Sequence, residues 1–171
     1  MWEENMIFVT VGTHEQQFNR LIQHIDELKK ELKIEEEVIM QIGFCTYIPQ
    51  HCQWKRLFPY QQMLEFIRKA HIVITHGGPS SIMMVLQEGK HPIVVPRQKK
   101  YNEHVNNHQL EFVKFLQKRQ RNIIVAEDIE SLEKQIIDYI LIIQEMNNEM
   151  GSNNTRFNIE LEKIVNQLFR N

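Results

Sequence analysis

Apolar residues fall along this chain in two alternating rhythms. Short runs rich in β-branched residues stand between longer stretches where apolar positions return every three or four residues. The first run, Met6-Ile7-Phe8-Val9-Thr10-Val11, predicts a buried strand ended by Gly12. Leu21, Ile22, Ile25, Leu28 and Leu32 then keep helical spacing. Residues 38–42 predict another strand, closed by Gly43. The stretch 44–59 follows neither rhythm, with a short strand expected near Trp54. Met63, Phe66, Ile67 and Ala70 mark a helix, and residues 72–75 a strand that runs into a turn at 76–81. Residues 82–88 predict a short helix stopped by Gly89. A strand at 92–96, a polar loop at 97–103, a helix through Phe112, Val113 and Leu116, and a strand at 122–125 follow. Ile129, Leu132, Ile136, Ile137, Ile140 and Leu141 predict one long amphipathic helix. Beyond an Asn/Gly/Ser-rich stretch at 147–155, Leu161, Ile164, Val165 and Leu168 form a last helical stripe.

Strands that are apolar on both faces, alternating with helices, predict an α/β fold: a parallel sheet with helices on both faces. The main domain is expected over residues 1–146, with a polar linker and an amphipathic helix over 147–171. In such folds ligands lie beyond the carboxyl ends of the strands. The loops after Val11, Ile42, Thr75 and Val95 are therefore the places for chemistry.

Composition narrows the picture. The chain has 171 residues, 42% hydrophobic and 25% charged, as expected of one globular domain with a sizeable core. Twenty basic residues against 22 acidic give a net charge of −2, which argues against a nucleic-acid binder. Cys45 and Cys52 form neither a disulfide framework nor a zinc-type pair, and reduced cytosolic thiols are expected. The start, Met1-Trp2-Glu3-Glu4-Asn5, is too polar for a signal peptide. No apolar run approaches the roughly 18–20 residues of a spanning helix.

The first loop offers Gly12, Thr13 and His14. Glycine permits close backbone approach, a helix N-terminus attracts phosphate, Thr13 adds a hydroxyl, and His14 suits phosphate contact or general-base work. A plain strand-to-helix turn with a solvated histidine accounts for the same residues. The second loop, Thr75-His76-Gly77-Gly78-Pro79-Ser80-Ser81, is sharper. Its glycines allow positive φ, Ser80 or Ser81 suits an N-cap, and its amides would form an anion pocket. It is not a Walker A loop, and packing alone is the alternative. In the third loop Arg97, Lys99 and Lys100 suit phosphate, while Asn102, Glu103, His104, Asn106, Asn107, His108 and Gln109 suit sugar hydroxyls. A solvated charge run is the alternative there. Met83 and Met84 read as core or groove filler. His24, His51, His71 and His91 are scattered. His104 and His108 have i, i+4 spacing, but no HExxH pattern or nearby cysteine supports zinc, so no metal is expected.

Taken in order, Phe8-Val9-Thr10-Val11-Gly12-Thr13-His14, Thr75-His76-Gly77-Gly78-Pro79, and Pro92-Ile93-Val94-Val95-Pro96-Arg97-Gln98-Lys99-Lys100 through Glu103-His104-Val105-Asn106-Asn107-His108-Gln109 resemble the C-terminal domain of glycosyltransferase family 28. The nearest likeness is to small bacterial polysaccharide-synthesis proteins of the PssE and EpsF kind. These are similar to the catalytic subunit of the eukaryotic two-subunit GlcNAc transferase. The likeness covers about residues 6–143. It implies the Rossmann-like C-terminal, donor half of a GT-B glycosyltransferase, whose other half is a separate membrane-anchored, acceptor-binding subunit.

The resemblance also implies site residues. It sets Gly12, Thr13 and His14 beside the diphosphate and the acceptor face. It sets His76, Gly77, Gly78, Pro79, Ser80 and Ser81 at the donor phosphates. Arg97, Gln98, Lys99, Lys100 and His108 join the donor site by the same likeness. Glu103 and His104 stand where the lipid II GlcNAc transferase has two sugar-binding glutamines. The ribose-binding glutamate of that relative aligns with Met84, and Glu88, a turn later, is the available substitute. His14 and Glu103 are thus the expected catalytic residues.

The implied reaction moves a hexose from a UDP-sugar to an undecaprenyl-diphosphate-linked saccharide in exopolysaccharide or capsule synthesis. No divalent metal is expected, because helix N-termini and Arg97, Lys99 and Lys100 would stabilise the leaving diphosphate. The general base is either His14 or a group of the partner. The chain is expected to be cytoplasmic, peripheral at the inner face of the plasma membrane through its partner, and free to form a homodimer in isolation. The rival readings are a non-catalytic enhancer subunit and a stand-alone nucleotide-sugar enzyme such as an epimerase. A nicotinamide oxidoreductase lacks its GxGxxG signature here.

Overall fold

The computed structural model describes residues 5–120, 122–150 and 154–169. The order of elements is β1 (Met6–Thr10), α1 (Asn19–Lys30), β2 (Glu37–Gln41), β3 (Gln53–Lys55), α2 (Tyr60–Lys69), β4 (Ile72–His76), α3 (Pro79–Gln87) and β5 (Ile93–Val95). A 3-10 turn (Lys99–Tyr101), α4 (His108–Gln120), β6 (Ile124–Val125), α5 (Ser131–Ile137), α6 (Tyr139–Met150) and α7 (Asn154–Phe169) complete it. The six strands form one sheet in the order β3-β2-β1-β4-β5-β6. Every neighbouring pair is parallel, with Phe8 opposite Ile39 on one side and Val73 on the other. The strand order reverses between β1 and β4, and the carboxyl ends of these two strands open a crevice.

The two-residue period of a strand sorts the side chains into layers. Ile7, Val9 and Val11 pack under Leu21, Ile22 and Ile25 of α1 and Leu132 and Ile136 of α5. Met6 and Phe8 point the other way, onto Ile67 of α2 and Val85 of α3. In β5, Ile93 and Val95 join the first layer, whereas Val94 meets Ile82 and Leu86 of α3 and Phe112, Val113 and Leu116 of α4. Ile164 and Val165 of α7 are half-buried against that second layer, so the C-terminal helix packs on its own domain. Leu161 and Leu168 of the same stripe lie outside the residues whose side chains are described.

Several boundaries differ from the sequence reading. Helix α3 begins at Pro79 instead of Ile82, because proline at the first helical position needs no N–H partner and fits the helical φ. The expected long helix breaks at Asp138 into α5 and α6. The break turns Tyr139 inward, where its hydroxyl donates to His91 O at 2.7 Å and its ring meets His71 edge-on. Residues 147–150 of the expected linker continue α6, and residues 151–153 and 1–4 lie outside the described part. The irregular stretch 44–59 is organised by the buried Asp26, which accepts from Tyr47 Oη (2.7 Å), Gln50 N (2.9 Å) and His51 N (2.8 Å). Burial pushes the Asp26 carboxyl up, but these donors outweigh it and hold the group below the usual carboxylate range.

Candidate functional site

A cleft of about 510 Å³ lies at the reversal point, bounded by the loops after β1 and β4 and by the first turns of α2 and α3. Two kinds of side chain line it. Gly12, Thr13, His14, His76, Gly78, Ser80 and Ser81 supply backbone, hydroxyl and imidazole groups. Phe58, Tyr60, Met63 and Met84 supply flat or adaptable apolar surface suited to a planar ring. Among the described residues, no charged side chain lines this cleft.

The glycines are explained by His76. Its ring is buried and sits between the two loops, and a methyl group on either Gly12 or Gly78 would collide with its Nε2. Gly12 also has φ +71°, which favours glycine. Gly78 has φ −71°, so positive φ is not the reason for glycine there. Gly78 is itself the N-cap of α3 and has no side chain to cap with, so the Ser80 or Ser81 cap expected from sequence does not form. Helix geometry leaves the amides of Ser80 and Ser81 without intrahelical acceptors at the cleft. The Gly77 amide is already committed, donating to Gln109 Oε1 at 3.1 Å, and Arg97 N donates to the same oxygen at 3.1 Å.

Burial, then the Arg97 charge and the neighbouring imidazoles of His14 and His104, lower the His76 pKa to about 3. That ring is neutral at physiological pH. His14 and His104 come from different loops and stack with centroids 4.7 Å apart and planes inclined by 36°. Each uses Nδ1 to accept a backbone amide two residues on: Gln16 N to His14 at 3.1 Å, Asn106 N to His104 at 3.3 Å. Burial lowers both pKa values, and Arg97 acts in the same direction on each.

Arg97 is fully buried and lines no part of the cleft. Its Nη1 donates to Gln16 O (2.9 Å), Gln17 O (3.0 Å) and Glu103 O (3.2 Å), and its Nη2 donates to Val11 O (3.0 Å). Its guanidinium lies 4.9 Å from the Phe18 ring centroid. Burial brings its pKa down to about 10, which leaves it charged at neutral pH. Glu103 is equally buried. Its carboxylate takes both Arg20 Nε (2.7 Å) and Arg20 Nη2 (3.0 Å), and also Gln98 N (3.0 Å). Here the structure departs from the expected roles. Arg97 ties the loop after β1 to the loop after β5, and Glu103 ties that second loop to Arg20 of α1, instead of presenting charge to a ligand.

The other expected residues are dispersed. Gln98 is buried and donates through Nε2 to Glu127 O at 2.8 Å. Lys99 and Lys100 are exposed on the 3-10 turn, and His108 is exposed at the start of α4. Glu88 lies at the far end of α3, paired with Arg68 at 2.8 and 3.0 Å. Pro79 lines the cleft, and Met84 does so while Met83 packs on the core. The sequence reading missed Gln41, Phe58, Tyr60, Met63 and Arg20. Gln41, a polar residue inside an apolar strand, was the one legible signal. It now receives the Phe58 amide at 2.8 Å and donates to Thr10 Oγ1 at 3.3 Å, which seats the ring of Phe58 beside the cleft. Among the described residues, no group of three or more His, Cys, Asp and Glu converges as a metal site, and no helix is long and apolar enough to cross a membrane.

A doubly wound parallel sheet with an open cleft at its switch point defines a Rossmann-like α/β domain. Solved structures share this fold. The kitacinnamycin glycotransferase superposes with a TM-score of 0.57 at 16% identity, over 94% of this chain and 43% of that one. Acinetobacter baumannii MurG superposes with 0.57 at 15% identity, over 95% of this chain and 51% of that one. The chain belongs to the glycosyltransferase family 28 C-terminal domain family, whose model matches residues 6–168. It is 36% identical over 121 residues to the human UDP-N-acetylglucosamine transferase subunit ALG13, covering 66% of this chain and 10% of that protein. The ALG13 subunit of Yarrowia lipolytica is 39% identical over 64 residues, 37% of this chain and 30% of that protein. The chain thus spans less than a third of each of these two relatives.

Proposed function

We propose that this chain is the donor-binding subunit of a two-component glycosyltransferase, taking a hexose from a UDP-sugar. The observation that carries the reading is the cleft itself. Its imidazoles, hydroxyls and free α3 amides offer donors to a diphosphate, and Phe58, Tyr60, Met63 and Met84 offer a bed for a nucleobase. With no carboxylate lining the cleft among the described residues, the ribose would be met by neutral groups, and Glu88 is held away by Arg68.

The acceptor is a saccharide on undecaprenyl diphosphate, bound by a membrane-anchored partner that faces the carboxyl edge of the sheet. Both ALG13 relatives are named as transferase subunits, which supports a multi-subunit enzyme. In this reading the chain works at the inner face of the plasma membrane, in exopolysaccharide or capsule synthesis, and needs no divalent metal. As the anomeric C–O bond to the diphosphate breaks, the acceptor oxygen bonds to that carbon and gives up its proton. Negative charge grows on the departing UDP, where preorganised N–H donors stabilise it most.

The test is reconstitution. Membranes holding the partner subunit, supplied with this chain and a panel of labelled UDP-sugars, should transfer one sugar to lipid. Transfer by the purified chain without any partner would overturn the two-component reading.

A further inference from the structure

We propose that His14 serves as a neutral Nε2–H donor, that Arg97 and His104 are positioning residues for it, and that the proton acceptor of the transfer lies in the facing subunit. The inference rests on the donor-subunit reading and adds where the proton goes. His14 lines the cleft, whereas Arg97 and His104 stand behind it. A neutral imidazole carries one proton. Because His14 Nδ1 is spent accepting the Gln16 amide, that proton belongs on Nε2. A ring held this way can donate to an anionic oxygen but has no free lone pair for an acceptor hydroxyl. His104 repeats the arrangement with the Asn106 amide.

Arg97 secures the arrangement by geometry. It binds the carbonyls of Gln16 and Gln17, beside the very amide that caps His14, and the carbonyl of Glu103, next to His104. One guanidinium therefore sets the spacing of the two rings. Its charge also opposes protonation of both rings, as do His14 and His104 for His76 and His108 for His104. Glu15 alone pulls His14 the other way, and the Arg20–Glu103 pair lies in the same clamp. When the glycosidic bond breaks, the electron pair goes to the diphosphate oxygen, which His14 Nε2–H meets. The hydroxyl proton passes to the partner's base.

Two arms test this. In the first, nitrogen-15 NMR of the ligand-free chain follows the rings with pH. The expected result is an Nε2–H tautomer for His14 and His104, both titrating below the ordinary value of about 6.5. In Arg97→Met both should rise, and in Arg97→Lys they should stay low. An Nδ1–H tautomer, or wild-type titration at or above the ordinary value, overturns the proposal even if no variant folds. In the second arm, His14→Gln and His14→Ala are assayed with the partner subunit. Glutamine keeps an N–H near the Nε2 position and cannot accept a proton as a base. It should retain transfer within a few fold, while alanine should lose about 100-fold, the typical loss of one such donor. Equal loss in both would make His14 the base. Failure of the native chain to bind UDP would instead undo the donor-subunit reading and leave the titration result standing.

Discussion

At Gly78 the missing side chain matters because His76 fills the space where a Cβ would stand. Gly78→Ala should displace that ring, destabilise the fold by about 1–3 kcal/mol as overpacking does, and weaken nucleotide binding. Chemical denaturation checks the first effect. Glu103 and Arg20 set a different expectation. With Glu103 fully buried and holding the half-buried Arg20 through two bonds, Glu103→Ala should cost about 1–3 kcal/mol by leaving the guanidinium and the Gln98 amide without their acceptor. A urea midpoint equal to wild type would show that the pair clamps nothing. His76 is expected to add to acid sensitivity, alongside His14, His104 and Asp26, which are also held below their ordinary values. The folded chain keeps His76 neutral down to about 3, while an unfolded histidine binds its proton near 6.5. Protons therefore favour unfolding below pH 6.5, so this stability is full above that pH and fades as pH falls towards 3. The slope is up to about 1.4 kcal/mol per pH unit. Melting temperatures from pH 8 to 4 should decline below 6.5, and less steeply in a folded His76→Gln variant.

At the scale of elements, α7 is a structural helix of this domain. Removing residues 154–171 would uncover part of the second apolar layer beside α3, against which Ile164 and Val165 pack, and should lower the melting temperature by several degrees. An unchanged melting temperature with lost recruitment to a partner would make α7 a docking helix instead. The strands were legible in the sequence because a parallel sheet buried on both faces writes each strand as an apolar run, as in residues 6–11 and 72–75. The loops of the cleft were legible for the same reason, since they follow those runs. The roles within the loops were not. Arg97 looks like one of three solvated cations, and nothing in a linear pattern tells that it is buried under four carbonyls while Lys99 and Lys100 stay outside. Phe58 and Tyr60 lie where no rhythm runs, so their place beside Gly12 depends on the sheet order and on the hydrogen bond from the Phe58 amide to Gln41.

Across the whole molecule, the reversal of strand order between β1 and β4 puts every lining residue of the cleft at one edge of the sheet. That edge offers an anion neutral donors and leaves the charge of Arg97 behind them, a preorganised field that needs no mobile lysine. The central claim is that this cleft holds the nucleotide of the donor. Titration calorimetry of the chain with UDP, in buffer free of divalent cations, tests it most directly, with Gly78→Ala and Lys99→Ala/Lys100→Ala as companions. The account predicts saturable one-site binding, at least about tenfold weaker in Gly78→Ala, a loss of about 1.4 kcal/mol, and little changed when both exposed lysines are removed. Absence of UDP binding, or equal affinity in the wild type and a folded Gly78→Ala variant, would contradict it.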